Sequence, residues 1–172
     1  SEHDTAMSVE LYFDMIGRKT AALIAGSIQA GAILATDDAA TIAAYRDFGW
    51  ALGLAFQLND DLLGIWGEEQ ETGKQPTDLA KRKRTLPVLY ALEHAAPEDR
   101  IRLKALLAEA SPTAATTEEI RALLERSGAR TYTREQARHH RDEALVQLER
   151  TGAADAAARE RLAQIITSVI EA

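Results

Sequence analysis

Residues 39–66 read AATIAAYRDFGWALGLAFQLNDDLLGIW and contain no proline. Their apolar side chains recur at helical spacing up to a pair of acids near the end, which predicts one long α-helix. Over the whole chain, 33 residues are Ala and only 4 are Val. Alanine is the best helix former, whereas β-branched residues suit sheets. The sequence therefore predicts an all-α protein, a helical bundle.

Helical periodicity and capping signals predict further helices on both sides of this segment. The predicted helices are Ser8 to Ala35, Asp78 to Leu92, one from Pro97, one near Thr116, Ala129–Thr151 and Asp155–Ile170. Pro87 lies inside the second of these and predicts a kink there. The polar stretch from Gly67 to Thr77 contains two glycines and a proline, which predicts a loop.

Length and composition limit the class of protein. The chain has 172 residues, which suits one domain of the usual ~100–200 residues. The net charge of −7 disfavours binding to free nucleic acid, because a surface of that sign repels phosphates. The absence of cysteine excludes a disulfide scaffold and a thiol nucleophile. The most apolar stretch, residues 21–35, is shorter than the ~20 residues of a membrane span, so no span is predicted.

Asp60 and Asp61 are adjacent near the end of the long predicted helix, after an apolar run. Two neighbouring carboxylates beside an apolar wall are costly unless a cation compensates their charge. With oxygen ligands the natural cation is Mg²⁺, which keeps water and bridges to substrate phosphates. Gln57 lies one turn before Asp61 and would face the same side. The pattern indicates a Mg²⁺ site, with a carboxylate pair on a solvated helix face as the alternative.

Three lysines accompany the acidic pair. Lys19, followed by Thr20, lies within the first predicted helix, Lys74 lies in the glycine-bearing loop, and Lys83 lies nine residues further on. Each alone is compatible with a solvated lysine, and Lys19 with one that extends to the surface. Carboxylates with Mg²⁺ and several lysines are together suited to hold a diphosphate and to stabilise its departure.

Five short motifs resemble those of a known family. Residues 56–63, FQLNDDLL, are followed by Gly73-Lys74, by Asp78-Leu79 and by residues 83–87, KRTLP. This order resembles the second aspartate-rich region of trans-isoprenyl diphosphate synthases, the polyprenyl synthetases. The upstream pair Lys19-Thr20 resembles the lysine–threonine motif of the same family.

The resemblance implies the all-α isoprenoid synthase fold and a Mg²⁺-dependent prenyltransferase. Such an enzyme condenses an allylic diphosphate with isopentenyl diphosphate into a longer trans-polyprenyl diphosphate, by ionisation, condensation and elimination. The implied roles are metal binding by Asp60 and Asp61, diphosphate binding by Lys19, Lys74 and Lys83, catalysis by Lys19, Thr20 and Gln57, and an isopentenyl site near Phe56. The resemblance also implies a homodimer and a cytoplasmic location.

One position departs from the family pattern. The second motif of the family ends in a third aspartate, where this chain has Gly64. Glu68 lies one turn further along the same helix face, which makes it a further candidate metal ligand. Residues 60–68 also resemble the second metal motif of class I terpene cyclases, in which Asp60 and Glu68 would bind the metal. The lysine–threonine and KRTLP elements favour the synthase.

The first aspartate-rich motif of the family has no counterpart in these residues. The resemblance therefore implies that residues 1–172 are the C-terminal part of an all-α isoprenyl diphosphate synthase domain, seen here as a fragment. Because ionisation in this family needs metals held between two aspartate-rich motifs, the isolated chain is expected to be inactive. A non-catalytic partner subunit of a synthase is the remaining alternative.

His139 and His140, flanked by Arg138 and Arg141, are compatible with a metal or phosphate site. They lie in a predicted helix whose exposed face alternates in charge, which favours solvated side chains. The pattern therefore predicts a solvated face in preference to a site.

Overall fold

The structure is a computed structural model that describes residues 7–67, 78–152 and 155–169. Within those ranges the regular secondary structure is helical, without a strand, which confirms the predicted all-α class. The helices are α1 (Val9–Ile16), α2 (Ala22–Ala35), α3 (Ala39–Trp66), α4 (Leu86–His94), α5 (Pro97–Ala108), α6 (Ala114–Arg126), α7 (Ala129–Arg150) and α8 (Ala156–Val169). None of the helices in the described ranges is long and apolar enough to pass through a lipid bilayer.

The long helix predicted over residues 39–66 is present with those bounds, as α3. The single helix predicted from Ser8 to Ala35 instead contains a π-helical segment, Gly17–Ala21, between α1 and α2. π-helical turns are rare in proteins, and those that occur are often found at functional sites. Lys19 and Thr20 both lie in this segment, so the lysine–threonine motif coincides with the departure from regular helix.

The prediction of a helix from Asp78 with a kink at Pro87 is wrong. Residues 78–82 form a turn, and α4 begins only at Leu86, so that Pro87 lies in its first turn. A first-turn residue needs no N–H donor within the helix, and the fixed φ of proline suits that position. Pro87 therefore begins a helix and does not bend one.

The cap of α6 lies earlier than the predicted region around Thr116. Thr113 precedes the helix in an extended conformation, and its hydroxyl oxygen accepts a hydrogen bond of 3.1 Å from the Thr116 N–H. This bond satisfies one of the N–H groups that the first turn leaves without a partner in the helix. The predicted start of α5 at Pro97 is confirmed.

The chain forms two compact units, and their boundary lies within α3, between Asn59 and Asp60. The first unit combines the N-terminal residues up to Tyr12 with residues 60–134. Its core consists of buried apolar side chains from α3 to α7 and from the turn before α4: Ile65, Leu79, Val88, Ala91, Leu103, Leu106, Ile120, Leu123, Leu124 and Ala129. The end of α3 and the turn at residues 78–82 are thus held by the same core.

The second unit combines residues 13–59 with residues from Glu135 onward. In this unit the π-helical segment and α2 pack against α3 at two glycines. A Cβ atom on Gly53 would lie 2.6 Å from the Ala21 Cα, and one on Gly49 would lie 2.7 Å from the Ala25 Cα. Both contacts are with backbone, which cannot move aside cheaply, so the close approach requires glycine at these positions.

Candidate functional site

Asp61 is a buried acidic group of the first unit, and buried donors hold its carboxylate. The residue is only 3% exposed, and its Oδ2 accepts a hydrogen bond of 2.8 Å from the backbone N–H at Leu86. The same oxygen accepts a short hydrogen bond from the hydroxyl of Tyr12, which is buried as well. These donors compensate the loss of water around the carboxylate.

Burial raises the pKa of the Tyr12 hydroxyl above its usual value, and the negative charge of Asp61 raises it further. Tyr12 therefore stays protonated and donates its hydrogen bond throughout the physiological range. The Asp61 carboxylate accordingly remains the acceptor, with a fixed orientation.

Asp60 lies in a different environment from its neighbour. Its side chain is exposed to solvent, whereas that of Asp61 is buried, since adjacent helix positions point in directions about 100° apart. Only the second acid of the predicted pair thus lies against the apolar interior. The first is open to water and accessible to a ligand from solution.

Asp78 occupies the space beside Gly64. A Cβ atom on Gly64 would lie 2.1 Å from the Asp78 Oδ2 and 2.5 Å from its Cγ. Asp78 is 5% exposed, and its backbone N–H donates a hydrogen bond of 3.2 Å to the Gly64 carbonyl. The missing side chain at position 64 therefore makes room for a carboxylate from the turn that follows α3. Asp78 lies in one of the motifs described above, although the sequence pattern predicted no role for it.

Lys83 faces these carboxylates. Its Nζ lies 2.6 Å from the Asp78 Oδ1, and its backbone N–H donates a bond of 3.0 Å to the Asp78 carbonyl. The hydrogen bond to Asp78 raises the pKa of the Lys83 ammonium, and the charges of Asp78, Asp60 and Asp61 add to this effect. About half of the side chain remains exposed, at 52%. The predicted lysine thus lies in the field of three acids and can still meet an anion.

The second unit contains the lysine–threonine motif and its partner on α3. The Thr20 hydroxyl donates a hydrogen bond of 3.2 Å to the Gln57 Oε1, so the structure brings these two predicted residues together. Lys19, in the same π-helical segment, is exposed. Phe56 is also exposed, at 46%, although it is aromatic. Two further predicted residues, Lys74 and Glu68, lie outside the described residues.

The acidic side chains of the first unit fit a hard cation. Asp60, Asp61 and Asp78 offer oxygen ligands, the type that Mg²⁺ prefers. Within the described residues, the ligand atoms of these acids do not all lie within 4.8 Å of one another. Ligands spaced in this way suit a cation that keeps several water ligands and also binds substrate phosphates. They do not form a closed cage of protein ligands around an ion.

Known proteins resemble this chain in sequence. Residues 1–125 match the family model for polyprenyl synthetase. A short chain isoprenyl diphosphate synthase of Methanothermobacter thermautotrophicus is 40% identical over 163 residues, which are 94% of this chain and 49% of the relative. A geranylgeranyl diphosphate synthase of Mycobacterium tuberculosis is 46% identical over 129 residues, covering 74% of this chain and 37% of the relative.

Solved structures extend the likeness to the fold. Polyprenyl synthase from Caulobacter crescentus, complexed with calcium and isoprenyl diphosphate, superposes with a TM-score of 0.86 at 33% identity, covering 99% of this chain and 52% of that one. Geranylgeranyl pyrophosphate synthase from Corynebacterium glutamicum, complexed with isoprenyl diphosphate and magnesium, gives a TM-score of 0.88 at 28% identity, covering 99% and 48%. The all-α fold is therefore that of the isoprenyl synthases.

The chain belongs to the polyprenyl synthetase family. It spans about half the length of the curated relatives it matches, 49% of the archaeal synthase and 37% of the mycobacterial one.

Proposed function

We propose that these residues form the part of a trans-prenyl diphosphate synthase that binds an allylic diphosphate together with Mg²⁺. In the proposed reaction, the allylic diphosphate ionises and condenses with isopentenyl diphosphate to give a longer prenyl diphosphate. The observation that carries the proposal is the arrangement in the first unit, where Asp78 pairs with the half-exposed ammonium of Lys83 and the charges of Asp60 and Asp61 also act on it. Family membership and relatives named as prenyl diphosphate synthases support it.

Asp60 and Asp61 would hold the metal in different ways. Asp60 is exposed and can meet the ion from solution, while Asp61 has one oxygen fixed by Tyr12 and Leu86. A carboxylate fixed in this way loses little rotamer entropy when an ion binds. Bound Mg²⁺ supplies positive charge that stabilises the diphosphate as it departs.

The lysines would bind the diphosphate itself. Lys83 remains charged because its pKa is raised, and its open side can contact a phosphate oxygen. Lys19 is exposed in the second unit and would contribute a further positive charge, as we also propose for Lys74. Positive groups placed before the reaction lower the barrier to ionisation, since they need no reorganisation as charge develops.

The uncharged groups would act on the allylic part of the substrate. Thr20 and Gln57 are joined by a hydrogen bond, which orients the two dipoles with respect to each other. We propose that oxygen atoms of this pair face the developing allylic cation. Phe56 presents an exposed ring in the same unit, which we propose lies near the isopentenyl substrate.

The predictions of a homodimer and of a cytoplasmic location belong to this proposal. Mg²⁺ as the physiological ion is likewise proposed. It rests on the oxygen ligands above and on the magnesium named for the Corynebacterium structure.

Calorimetric titration of this chain with inorganic pyrophosphate, with and without Mg²⁺, tests the binding role. We expect Asp60→Asn to weaken the Mg²⁺-dependent binding by about tenfold or more, since even the loss of outer partners of a metal costs that much. Lys83→Gln should weaken binding in both conditions. The matched control is Asp37→Asn, which neutralises an exposed carboxylate in the segment between α2 and α3. Equal binding by Asp60→Asn and Asp37→Asn would contradict the metal role.

The reaction itself is tested in a family-length protein that contains these residues, supplied with isopentenyl and dimethylallyl diphosphates. Longer diphosphates are the expected products, and their formation should be lost in Asp60→Asn. Cyclic hydrocarbons would instead indicate a terpene cyclase. Absence of any product, with a changed activity when the chain is added to a complete synthase, would indicate a partner subunit.

A further inference from the structure

Helix α7 brings two histidines and a glutamate together. In the sequence, these residues lie far from the acidic residues of the candidate site. His139, His140 and Glu143 each offer one ligand atom, and these atoms all lie within 4.8 Å of one another. The His140 Nδ1 lies 2.9 Å and the His139 Nε2 lies 3.9 Å from the same oxygen, Glu143 Oε2. Because the residues are three and four positions apart on one helix, Glu143 reaches both rings.

The distances between these ligand atoms suit an ion with tetrahedral coordination. Bonds of about 2.0–2.1 Å to nitrogen and oxygen place two tetrahedral ligand atoms about 3.3 Å apart. The observed separations of 2.9 and 3.9 Å lie on either side of that value. His139 and Glu143 are 64% and 50% exposed, so both side chains can move by the remaining half ångström or so without disturbing the core.

His140 differs from the solvated side chain that the sequence predicts. It is only 15% exposed, and its ring packs against that of Phe13, with the centroids 6.1 Å apart. This ring contact restricts the orientation of the His140 imidazole. One ligand is thus already oriented before an ion arrives.

A cavity adjoins the cluster within the same unit. It has a volume of about 220 Å³ and is lined by Glu143, Gln147, Asp47, Trp50 and Ala51. The space is large enough for several water molecules, which each need about 30 Å³. Waters held there could complete the coordination of an ion bound by three protein ligands. The neighbouring Arg141 is neutralised by Asp142, at 2.8 Å.

We propose that His139, His140 and Glu143 bind a divalent transition-metal ion of the Zn²⁺ class. Two imidazoles and one carboxylate are ligands that Zn²⁺ accepts readily, whereas Mg²⁺ prefers oxygen ligands alone. The ion takes the place of the contact between His140 Nδ1 and Glu143 Oε2. This site uses none of the residues assigned above to the diphosphate or to Mg²⁺.

Calorimetric titration of the untagged, metal-free chain with ZnCl₂ tests the proposal. We expect one zinc ion per chain, and we expect His139→Ala and Glu143→Gln each to weaken its binding at least about tenfold. Two variants serve as matched controls. His94→Ala removes an exposed histidine that stacks on Tyr90, and Glu149→Gln neutralises an exposed carboxylate on the same helix α7. Both controls should bind zinc as the wild type does.

Nitrogen NMR of the histidine rings provides the second measurement. Zinc should shift the His139 Nε2 and His140 Nδ1 resonances and leave those of His94 unchanged, and excess Mg²⁺ should not reverse the shift. Circular dichroism confirms that each variant keeps its helical content. The proposal is overturned if zinc produces no one-to-one binding, or if binding is equal in His139→Ala, Glu143→Gln and their controls.

Discussion

Replacing Gly64 with alanine places a methyl group where the structure has a carboxylate. The new Cβ would lie 2.1 Å from the Asp78 Oδ2, 2.5 Å from its Cγ and 3.2 Å from its Cβ. Aspartate is a short side chain, so rotating its end alone cannot relieve a contact that includes Cγ. Asp78 is also 5% exposed and bound to Lys83, so it has little space into which to move.

Two opposing effects determine the size of the change. Alanine stabilises a helix interior by about 0.5–1 kcal/mol relative to glycine. Forcing an extra methyl group into a packed region costs about 1–3 kcal/mol. Displacing Asp78 also weakens its charged hydrogen bond to Lys83, although solvent around the half-exposed lysine reduces that loss. We expect a net loss of about 1–2 kcal/mol, which lowers the melting temperature by about 2–8 °C in a chain of this size.

Urea unfolding followed by circular dichroism measures the effect, with Gly26→Ala as the matched control. Gly26 lies in α2, where an added Cβ would meet nothing within 4 Å, so alanine should stabilise the protein by about 0.5–1 kcal/mol. In a double-mutant cycle, Asp78→Ala should remove the penalty of Gly64→Ala, because the methyl group then has space. A Gly64→Ala protein that is as stable as Gly26→Ala, or a cycle without coupling, would refute the placement of Asp78.

Two further predictions concern buried or capping hydroxyl groups. Tyr12→Phe removes a donor to the buried Asp61 and should cost about 1–3 kcal/mol near neutral pH. Folded Tyr12 keeps its proton, whereas unfolded tyrosine loses it near pH 10.0, so the stability of the wild type should fall above that pH. In urea titrations the difference in stability between the wild type and Tyr12→Phe should therefore shrink above pH 10.0. A difference that stays constant with pH would contradict this. Thr113→Ala should cost about 1 kcal/mol through loss of the α6 cap. Thr131→Ala, at an exposed position in α7, should change stability by less than about 0.5 kcal/mol. Equal losses in the two would show that Thr113 does not cap.

The elements predicted well are those decided by local chemistry. α3 could be placed over residues 39–66 because a continuous helical pattern is bounded by a polar stretch of sequence on each side. Pro87 was placed wrongly because proline is compatible with a kink and with a first turn, and local sequence does not separate these possibilities. In the structure Leu86 and Pro87 are buried, and Pro87 lies in the first turn of α4.

Site residues that belong to a sequence motif could be predicted. Contacts between residues that are distant in the sequence could not. The pairing of Thr20 with Gln57 joins residues that the family resemblance had already assigned to the same reaction. The contact of Tyr12 with Asp61 crosses 49 positions, and no local pattern encodes it. One signal was present, since a tyrosine in an apolar helix stripe needs a partner for its hydroxyl once it is buried.

Asp78 places a carboxylate beside Gly64, the position at which the chain departs from the family motif. An aspartate at position 64 would carry its own carboxylate from α3, and its Cβ would occupy the volume that Asp78 now fills. With glycine, the carboxylate comes from the following turn, where the Asp78 backbone N–H donates a hydrogen bond to the Gly64 carbonyl and the Asp78 carboxylate pairs with Lys83. Three acids thus still raise the pKa of Lys83. Because the Cβ of an aspartate at position 64 would overlap the Asp78 carboxylate, we expect Gly64→Asp to displace Asp78 and to break its bond to Lys83.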